Sequence, residues 1–441
     1  MTTPVLDFVR AYAQSDTLRL HMPGHKGRGP IGCEPWDITE IAGADALYEA
    51  SGILAESEAN AAALFGSRRT LYSTEGSSQC IRAMVHLAVT CRGAGREPLL
   101  LAARNVHKAF VQAAALTDAE VRWLWPEGGT ESLMSCGITP AVLDLALAEH
   151  PGCCGVYVTS PDYLGQRQDI RGLAAVCRGR EVPLLVDNAH GAYLHFLPEP
   201  CHPLDLGAAM CCDSAHKTFP VLTGGSYLHI AEGASEEIAA QAKSAMALYG
   251  STSPSYLTLA SLDACNAMLA GDYCERLSLA QGQLARVREM LRAAGWDAAE
   301  SDPLRITIRG DSAEAAARLR AGGAEPEYAG ADALVLLFAP EQLPEAGERV
   351  TYILGRNPRH GAGEPAFPGY GAAPEQAMRI REAVFAPQEF VLAAASRGRI
   401  AAAPTCSCPP AVPVVMPGER ITEEMARLLV YYGYEQVCVV K

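Results

Sequence analysis

The sequence predicts an α/β fold in which helices cover both faces of a mainly parallel sheet. Short apolar runs alternate with helix-like stretches between about residues 55 and 275, and strands buried on both faces are typically continuous apolar runs. The predicted strands are 99–103, 121–125, 155–159, 184–187, 208–212 and 225–230. Beyond about residue 290 the order changes, because strands predicted at 305–309 and 334–339 flank a helix, which indicates a smaller α+β domain.

The chain is long enough for about three structural units, at roughly 150 residues per domain. Residues 1–40 are rich in Pro and Gly and are predicted to form an N-terminal arm. Residues 41–285 are predicted to form a large ligand-binding domain, and residues 286–441 a small C-terminal domain. A Gly/Pro-rich stretch at 356–374 is expected to be an extended loop.

Composition and charge favour a soluble, cytoplasmic protein. The formal net charge is −14, from 36 basic and 50 acidic residues, which argues against a nucleic-acid partner. The first ten residues lack the basic and apolar regions of a signal peptide, and no run approaches the roughly 18 apolar residues needed to span a bilayer. We therefore expect no membrane partner.

The 15 cysteines are expected to be free thiols in a reducing compartment. Adjacent pairs inside apolar runs, such as Cys153-Cys154, are typical of small buried hydrophobes. No pair of C-x-x-C units is present, so no metal site is expected. The spacing of Cys406 and Cys408 is the one arrangement that leaves zinc open.

The strongest chemical signal lies just after two predicted strands. Asp187 comes directly after Leu184-Leu185-Val186 at the end of the predicted strand 184–187, and Lys217 follows the predicted strand 208–212. Ligands of open α/β sheets bind beyond the carboxyl ends of the strands. Pyridoxal phosphate (PLP) needs a lysine that holds its aldehyde as an imine and a carboxylate that keeps its pyridine nitrogen protonated. A lone lysine at a strand end is usually solvated, but this pair, with Ser and His beside it, predicts a PLP site.

A phosphate site is predicted at residues 73–79, a Gly- and Ser-rich segment before an apolar helix-like run. The start of a helix offers free N–H groups and the positive end of the helix dipole. The alternative is an ordinary helix N-cap. Ser214 and His216, just before Lys217, can add phosphate contacts. His107 follows another predicted strand and can stack on the cofactor ring, although a lone histidine is more often structural.

Eight segments resemble the Orn/Lys/Arg decarboxylases and occur in that family's order. They are HMPGHKG (21–27), STEGSSQ (73–79), RNVHKA (104–109), SPDYLG (160–165), VDNAHGA (186–192), DSAHKT (213–218), STSPSY (251–256) and VMPGERIT (415–422). The resemblance implies a fold type I PLP-dependent enzyme with a mainly parallel seven-stranded sheet and a smaller C-terminal α+β domain. It also implies a carbon–carbon lyase that decarboxylates arginine, lysine or ornithine to the amine and CO2. The chain resembles the short form of the family, which lacks an N-terminal wing domain.

The resemblance also implies roles for individual residues. Lys217 forms the imine with the cofactor, and Asp187 pairs with its pyridine nitrogen. Ala189 and His107 lie on opposite faces of the ring, and His190 lies near it. The phosphate is held by Gly76, Ser77, Ser78, Ser214 and His216.

A homodimer is a further implication of the resemblance. The segment 251–254, which contains Thr252, resembles one that reaches across a dimer interface towards the partner's cofactor phosphate. The active site would then lie at the interface between two copies of the chain, and a higher oligomer stays open.

One departure concerns the substrate. The family carries a glutamate upstream of a Tyr-Pro-Pro-Gly-Ile-Pro run, but here the segment 401–413 has alanine at the glutamate position, with Cys408 and Ala411 in place of Tyr and Gly. A carboxylate there suits a distal ammonium or guanidinium group. Asp162, in a segment that begins at Ser160, can compensate by contacting that group, or it can form an Asx-turn.

His25 and Lys26 lie in a glycine-rich segment that can close over the site and bind the substrate carboxylate. The alternative is that the segment forms a turn and both side chains are solvated. Other reactions also stay open. An aminotransferase or another PLP-dependent lyase would use the same cofactor residues, and the C-terminal region offers arginines for a substrate carboxylate at 379, 381, 397 and 399. A non-catalytic PLP-binding protein is disfavoured by the intact lysine and aspartate.

Overall fold

The computed structural model describes residues 1–92, 97–356, 367–407 and 410–441. Through the large domain the elements are α1 Pro4–Gln14, α2 Ile53–Phe65, β1 Arg69–Ser73, α3 Ser77–Arg92, β2 Leu99–Ala103, α4 Lys108–Thr117, β3 Glu120–Leu124, α5 Pro140–Glu149, β4 Cys153–Thr159, α6 Ile170–Gly179, β5 Leu184–Asp187, α7 Pro203–Leu206, β6 Met210–Asp213, α8 Ala215–Thr218, β7 Ser226–Ile230, α9 Glu236–Leu248, α10 Tyr256–Leu269 and α11 Tyr273–Ala293. A 3₁₀ helix at Ala192–Phe196 follows β5.

The central sheet has seven strands in the order β1-β7-β6-β5-β4-β2-β3. The strands β2 to β6 pair in parallel, and β7 runs antiparallel to both β1 and β6. The predicted fold class, a mainly parallel seven-stranded sheet with helices, is therefore confirmed. Because β5 and β6 are parallel neighbours, the segments that follow them leave the same edge of the sheet.

Both faces of the sheet are buried, as the continuous apolar runs predict. Every residue of β5 and of β6 is buried. Leu185 packs in a core cluster with α3 and α4, whereas Leu184 and Val186 pack in a second cluster with α5 and α6. Helix ends follow their local sequence: the Thr139 hydroxyl accepts from the Val142 N–H to cap α5, with Pro140 in its first turn.

The predicted N-terminal arm begins with a helix that is docked on the large domain. Val5 and Val9 of α1 are fully buried. The backbone N–H groups of Val5 and Leu6 donate to the Asp263 carboxylate at 2.9 and 3.0 Å, which satisfies two free donors of the first turn. The rest of the predicted arm contains neither helix nor strand.

The C-terminal region contains two separate small sheets. Its elements are β8 Asp297–Ala299, β9 Arg305–Arg309, α12 Ser312–Ala321, β10 Tyr328–Ala329, β11 Ala333–Leu337, α13 Leu343–Leu354, α14 Ile380–Phe385, β12 Gln388–Leu392, α15 Glu423–Tyr431 and β13 Gln436–Val440. The first sheet has the order β10-β11-β9-β8, and β12 pairs with β13 in the second. The predicted domain boundaries stay a prediction. Part of the predicted 356–374 loop, residues 357–366, lies outside the described residues.

A buried ion pair joins the last part of the chain to the large domain. Arg104, which follows β2, donates to the Glu419 carboxylate at 2.9 Å, and both side chains are at most 2% exposed. The Arg104 guanidinium also lies 5.3 to 5.4 Å from the ring centres of Trp123, Trp125 and Tyr370. The two motifs that contain Arg104 and Glu419 are thus in direct contact.

Replacing Glu419 by Ala should destabilise the protein by about 3–5 kcal/mol, because it leaves a buried guanidinium without its anion. The free energy of unfolding from urea denaturation measures this. The matched control is Asp144→Ala, which removes an exposed partner of Arg180 and should change stability by no more than about 1 kcal/mol. Equal effects of the two substitutions would contradict the account.

Candidate active site

Lys217 and His190 meet where β6 and β5 end. Lys217 lies on α8, which starts two residues after β6, and its Nζ atom is 3.1 Å from His190 Nε2. Burial, and then the charge of Lys217, lower the pKa of His190 well below its usual range, so the imidazole is neutral and accepts from the lysine. The proton of His190 is then on Nδ1, which is buried and has no hydrogen-bond partner among the described protein atoms.

Asp187 is the last residue of β5, and its carboxylate is buried. It accepts from the Tyr157 hydroxyl at 3.0 Å and from the Ala189 N–H at 3.2 Å. Burial raises the pKa of Asp187, and the positive charge of Lys217 opposes that rise. The sequence analysis missed Tyr157, although a tyrosine within the apolar strand Cys153–Thr159 is a signal that could have found it.

The predicted phosphate segment forms the start of α3. The Ser214 hydroxyl donates to Ser77 Oγ at 2.8 Å, so the first residue of α3 contacts the segment before Lys217. Gly76 has φ +73°, and a Cβ atom added there would meet nothing closer than 4.0 Å, at Ser78 N. The 16-residue α3 directs its first N–H groups and the positive end of its dipole to this place. The arrangement suits an anion.

Burial lowers the pKa values of His216 and His107, and both lie close enough to Lys217 for its charge to lower them further. His216 Nδ1 donates to the Gly225 carbonyl at 3.0 Å, which fixes the segment before Lys217 against the start of β7. His107 Nδ1 accepts from the Ala109 N–H at 3.1 Å and so caps α4. Burial, followed by the charge of Lys217, lowers the pKa of His107 to about 3. A neutral, flat imidazole therefore lies within electrostatic reach of Lys217.

This set of groups fits PLP. A lysine, a buried carboxylate and a neutral histidine lie around one place, and the start of α3 with two serine hydroxyls suits a phosphate. The Nδ1–H of His190, which has no partner among the described protein atoms, is a donor that a bound ligand would satisfy. Ala189 is small and buried beside Asp187, as expected of a residue packed on a ring face.

The side chains of Ser160 and Asp162 both accept hydrogen bonds from the backbone of their own loop. Asp162 Oδ1 accepts from the N–H groups of Leu164 and Gln166 at 3.0 and 2.9 Å, and the residue is 2% exposed. Burial raises the pKa of Asp162 to about 6. Ser160 Oγ accepts from the Gln168 N–H at 3.1 Å. This geometry favours the Asx-turn alternative, and the substrate role of both residues stays a prediction.

His25 and Lys26 make their contacts within the N-terminal segment. His25 Nε2 is 3.2 Å from Asp37 Oδ2, and its Nδ1 accepts from the Gly27 N–H. The Lys26 ammonium donates to the His21 carbonyl. These contacts favour the turn alternative.

Thr252 lies in an exposed stretch, 251–253, next to the phosphate segment. The Ser251 N–H donates to Glu75 Oε1 of the same chain at 3.2 Å. The predicted segment therefore lies beside Gly76, and its role at a dimer interface stays a prediction.

The altered segment 401–413 reaches the start of α4. The Lys108 N–H, one residue after His107, donates to the Ala411 carbonyl at 2.9 Å. Ala401 and Ala402 are fully buried, and Cys408 lies outside the described residues.

The four candidate arginines all lie at the surface. Their partners are Asp118 for Arg379, the Ala115 carbonyl for Arg381, Glu423 for Arg397 and Glu389 for Arg399. None of these contacts involves a residue of the site. The aminotransferase alternative thus gains no substrate-binding arginine from this group.

Solved structures identify the class of the fold. The structure of lysine decarboxylase A from Pseudomonas aeruginosa superimposes with a TM-score of 0.78 at 20% identity, covering 99% of this chain and 80% of that one. The Francisella novicida lysine decarboxylase LdcF gives 0.77 at 17% identity, covering 99% and 79%. An alanine–glyoxylate aminotransferase from Nostoc sp. gives 0.52 at 18% identity over 68% of this chain and 86% of that one. These likenesses show the fold, which is that of the fold type I PLP-dependent enzymes.

The sequence comparisons then identify the family. The major domain of the Orn/Lys/Arg decarboxylases matches residues 3–296, and the C-terminal domain matches residues 365–437. The chain belongs to the Orn/Lys/Arg decarboxylase family. An arginine decarboxylase of Bacillus subtilis is 30% identical over 96% of this chain and 92% of its own length. The lysine decarboxylase LdcA of Pseudomonas aeruginosa is 24% identical over 88% and 68%. The predicted PLP-dependent decarboxylase of a basic amino acid is thereby confirmed at the level of the family.

Replacing His107 by Gln should flatten the pH dependence of stability in cofactor-free protein. Between the ordinary pKa of 6.5 and the folded-state pKa of about 3, the unfolded chain binds a proton at His107 that the folded chain does not. Stability therefore falls as pH drops through this window, and the substitution removes about one proton from the slope. Urea denaturation between about pH 4.5 and 6.5 measures it. An unchanged slope would show that His107 is not buried as a neutral group.

Proposed function

We propose that this chain decarboxylates arginine with PLP, and that Lys217 is the residue that binds the cofactor covalently. The observation that carries the proposal is the meeting of Lys217, His190 and Asp187 at the shared edge of β5 and β6, beside the start of α3. Arginine is the first choice among basic amino acids because the relative that matches almost the whole chain at 30% identity is named an arginine decarboxylase.

The residues that would hold PLP are those described above. Ser77 and Ser214, with the N–H groups at the start of α3, would bind the phosphate, and Asp187 would face the pyridine nitrogen. When bound, PLP supplies an electron sink for the bond between Cα and the carboxylate. The remaining tasks fall to the protein.

Asp187 would act as a fixed hydrogen-bond acceptor for the protonated pyridine nitrogen of PLP. Its carboxylate is fixed by Tyr157 and the Ala189 N–H, and Lys217 opposes the rise in its pKa that burial causes. A carboxylate fixed in this way would keep the pyridine nitrogen of bound PLP protonated without first having to reorient.

His107 and His190 act as neutral groups. The pKa of each is lowered by burial and then by Lys217, so neither adds a second positive charge next to the lysine. His107 offers a flat face for stacking, and His190 offers its Nδ1–H as a donor. Lys217 Nζ, 3.1 Å from His190 Nε2, is the atom placed to move a proton at the site.

We also infer that the working enzyme is a cytoplasmic homodimer, with Thr252 from one copy near the phosphate site of the other. Two observations support a partner surface. Residues 251–253 are exposed next to Glu75, and the N-terminal segment exposes Leu20 and Ile31 by 83% and 81%. The cysteines in the described part of the chain are all free, which suits a reducing compartment. Among the described residues no helix is long and apolar enough to cross a membrane.

Incubating PLP-loaded protein with arginine, lysine, ornithine and glutamate should give the amine and CO2 from arginine at the highest rate. Mass spectrometry of the products measures this, with Lys217→Ala as the inactive control. Arginine turned over no faster than the other three, or a keto acid as the main product, would contradict the proposal. A keto acid or an elimination product would instead identify the 401–413 segment as the mark of a changed reaction.

A further inference from the structure

A second buried carboxylate lies close to the site but on the opposite face of the sheet. Asp213 is the last residue of β6 and is fully buried. It accepts three N–H donors: Asn188 Nδ2 at 2.6 Å, His202 Nε2 at 3.0 Å and His229 Nε2 at 3.2 Å. None of these four residues has a task in the mechanism above.

The hydrogen bonds fix the charge state of this group. His202 Nδ1 accepts from the Leu204 N–H at 3.4 Å, so Nε2 is the ring nitrogen that donates to Asp213. His229 Nδ1 pairs with the Thr70 hydroxyl at 2.8 Å. Burial raises the pKa of Asp213, but the two imidazoles outweigh burial and hold that pKa below its ordinary value. Three N–H donors that converge on one buried carboxylate are the bonding expected of its ionised form.

The same group does not have the bonding of a vacant metal site. One ligand-type atom from each of His202, Cys211 and Asp213 lies within 4.8 Å of the others. However, both ring nitrogens of His202 already have protein partners, and so do both of His229. Both oxygens of the Asp213 carboxylate and all four imidazole nitrogens have protein partners, whereas Asn188 Oδ1 has none among the described atoms. The satisfied carboxylate and imidazoles indicate a positioning role.

Strand alternation relates Asp213 to Asp187. Asp187 pairs with Cys212 across β5 and β6, and the Cys212 thiol lies 3.7 Å from Asp187 Oδ1 on the face of the sheet that α3 and α4 cover. Asn188 directly follows β5 and Asp213 is the last residue of β6, so by strand alternation their side chains point to the other face. The Asn188 N–H also donates to the Cys212 carbonyl at 3.0 Å, so both the backbone and the side chain of Asn188 are held by β6.

Asn188 begins the turn that carries the active-site groups. The Gly191 N–H donates to the Asn188 carbonyl at 2.8 Å, which closes the turn 188–191 around Ala189 and His190. A Cβ atom at Gly191 would lie 2.2 Å from Asn188 Oδ1, so the Asn188 side chain packs directly against the end of the turn. Its Nδ2 must face Asp213, because an ionised carboxylate can only accept.

We propose that Asp213 is a positioning residue which, acting through Asn188, fixes the turn 188–191 and thereby sets the places of the Asp187 carboxylate and the His190 imidazole. The inference rests on the proposed PLP-dependent function. The buried Asp213 carboxylate holds the turn through its hydrogen bond from Asn188. Removing a donor to a buried charged group is costly in free energy. The contact between Asn188 and Asp213 lies on the opposite face of the sheet from Asp187. It would therefore affect PLP only through the geometry of the turn 188–191.

The test is a double-mutant cycle on cofactor affinity, with the variants Asn188→Ala, Asp213→Asn and both together. Spectrophotometric titration of cofactor-free protein with PLP gives the dissociation constant, and the absorption maximum of the bound cofactor gives a second readout. Each single variant should weaken PLP binding by about tenfold, the size expected when a hydrogen bond to a buried charge is lost. The double variant should be no weaker than the worse single variant, because all three break the same connection.

The matched control is Thr70→Val, which removes the outer partner of His229 but leaves the Asn188–Asp213 contact intact. It should lower the melting temperature and leave PLP affinity and the absorption maximum unchanged. If Asp213→Asn does not fold, the comparison of Asn188→Ala with Thr70→Val decides.

Three outcomes would overturn the inference. They are unchanged PLP affinity in folded Asn188→Ala, multiplicative losses in the double variant, and a loss in Thr70→Val equal to that in Asn188→Ala. Wild-type protein that does not bind PLP would overturn the proposed function and the inference with it. Binding by wild type together with unaltered variants would overturn the inference alone.

Discussion

Parallel pairing of β5 with β6 brings together Leu185 with Met210 and Asp187 with Cys212. The two strands therefore end within one residue of each other, and the segments that follow them leave the sheet side by side. Asp187 and His190 come from one segment, and Ser214 and Lys217 come from the other. If the pairing shifted by one residue, every side chain would move to the opposite face, and the carboxylate and the lysine would no longer meet. The rest of the site is built around this pairing.

Burial decides the charges around Lys217. It raises the pKa of Asp187 and lowers the pKa of His107 and His190, and the charge of Lys217 opposes the first change and reinforces the other two. The lysine is thus surrounded by neutral imidazoles and has one buried carboxylate within reach on the same face. The side chain of a second carboxylate, Asp213, points to the opposite face of the sheet, where it accepts from Asn188, His202 and His229. The two anions have different partners, which suits different tasks.

Much of the fold could be predicted because the relevant signals are local. The strands at 99–103, 184–187 and 305–309 agree with the structure, since continuous apolar runs are a property of sequence alone. The strand Arg69–Ser73 was not predicted, because it is short and half polar and is defined by its antiparallel pairing with β7. In the C-terminal region, the pairings of β9 with β11 and of β12 with β13 join strands that are distant in sequence, which no local pattern indicates.

Some residues of the candidate site could likewise be predicted from local sequence, whereas others could be identified only in the structure. Lys217 and Asp187 could be predicted from their positions at strand ends, where the fold places ligands. Asp162 shows the limit of this reasoning, because a carboxylate in a loop suits either a substrate contact or a turn, and only the N–H groups of Leu164 and Gln166 favour the turn. The contact of Asn188 with Asp213 joins neighbouring strands across 25 residues of sequence, so it needed the three-dimensional register to be seen.

The central claim is that Lys217 binds PLP covalently at the edge of β5 and β6. Borohydride reduction of PLP-loaded protein, followed by peptide mapping by mass spectrometry, tests it most directly. The account predicts that the reduced cofactor is found on the peptide containing Lys217. It also predicts that Lys217→Ala loses this adduct, whereas Lys441→Ala at the exposed end of the chain keeps it. An adduct on a different lysine, or the same yield of adduct in Lys217→Ala, would contradict the account.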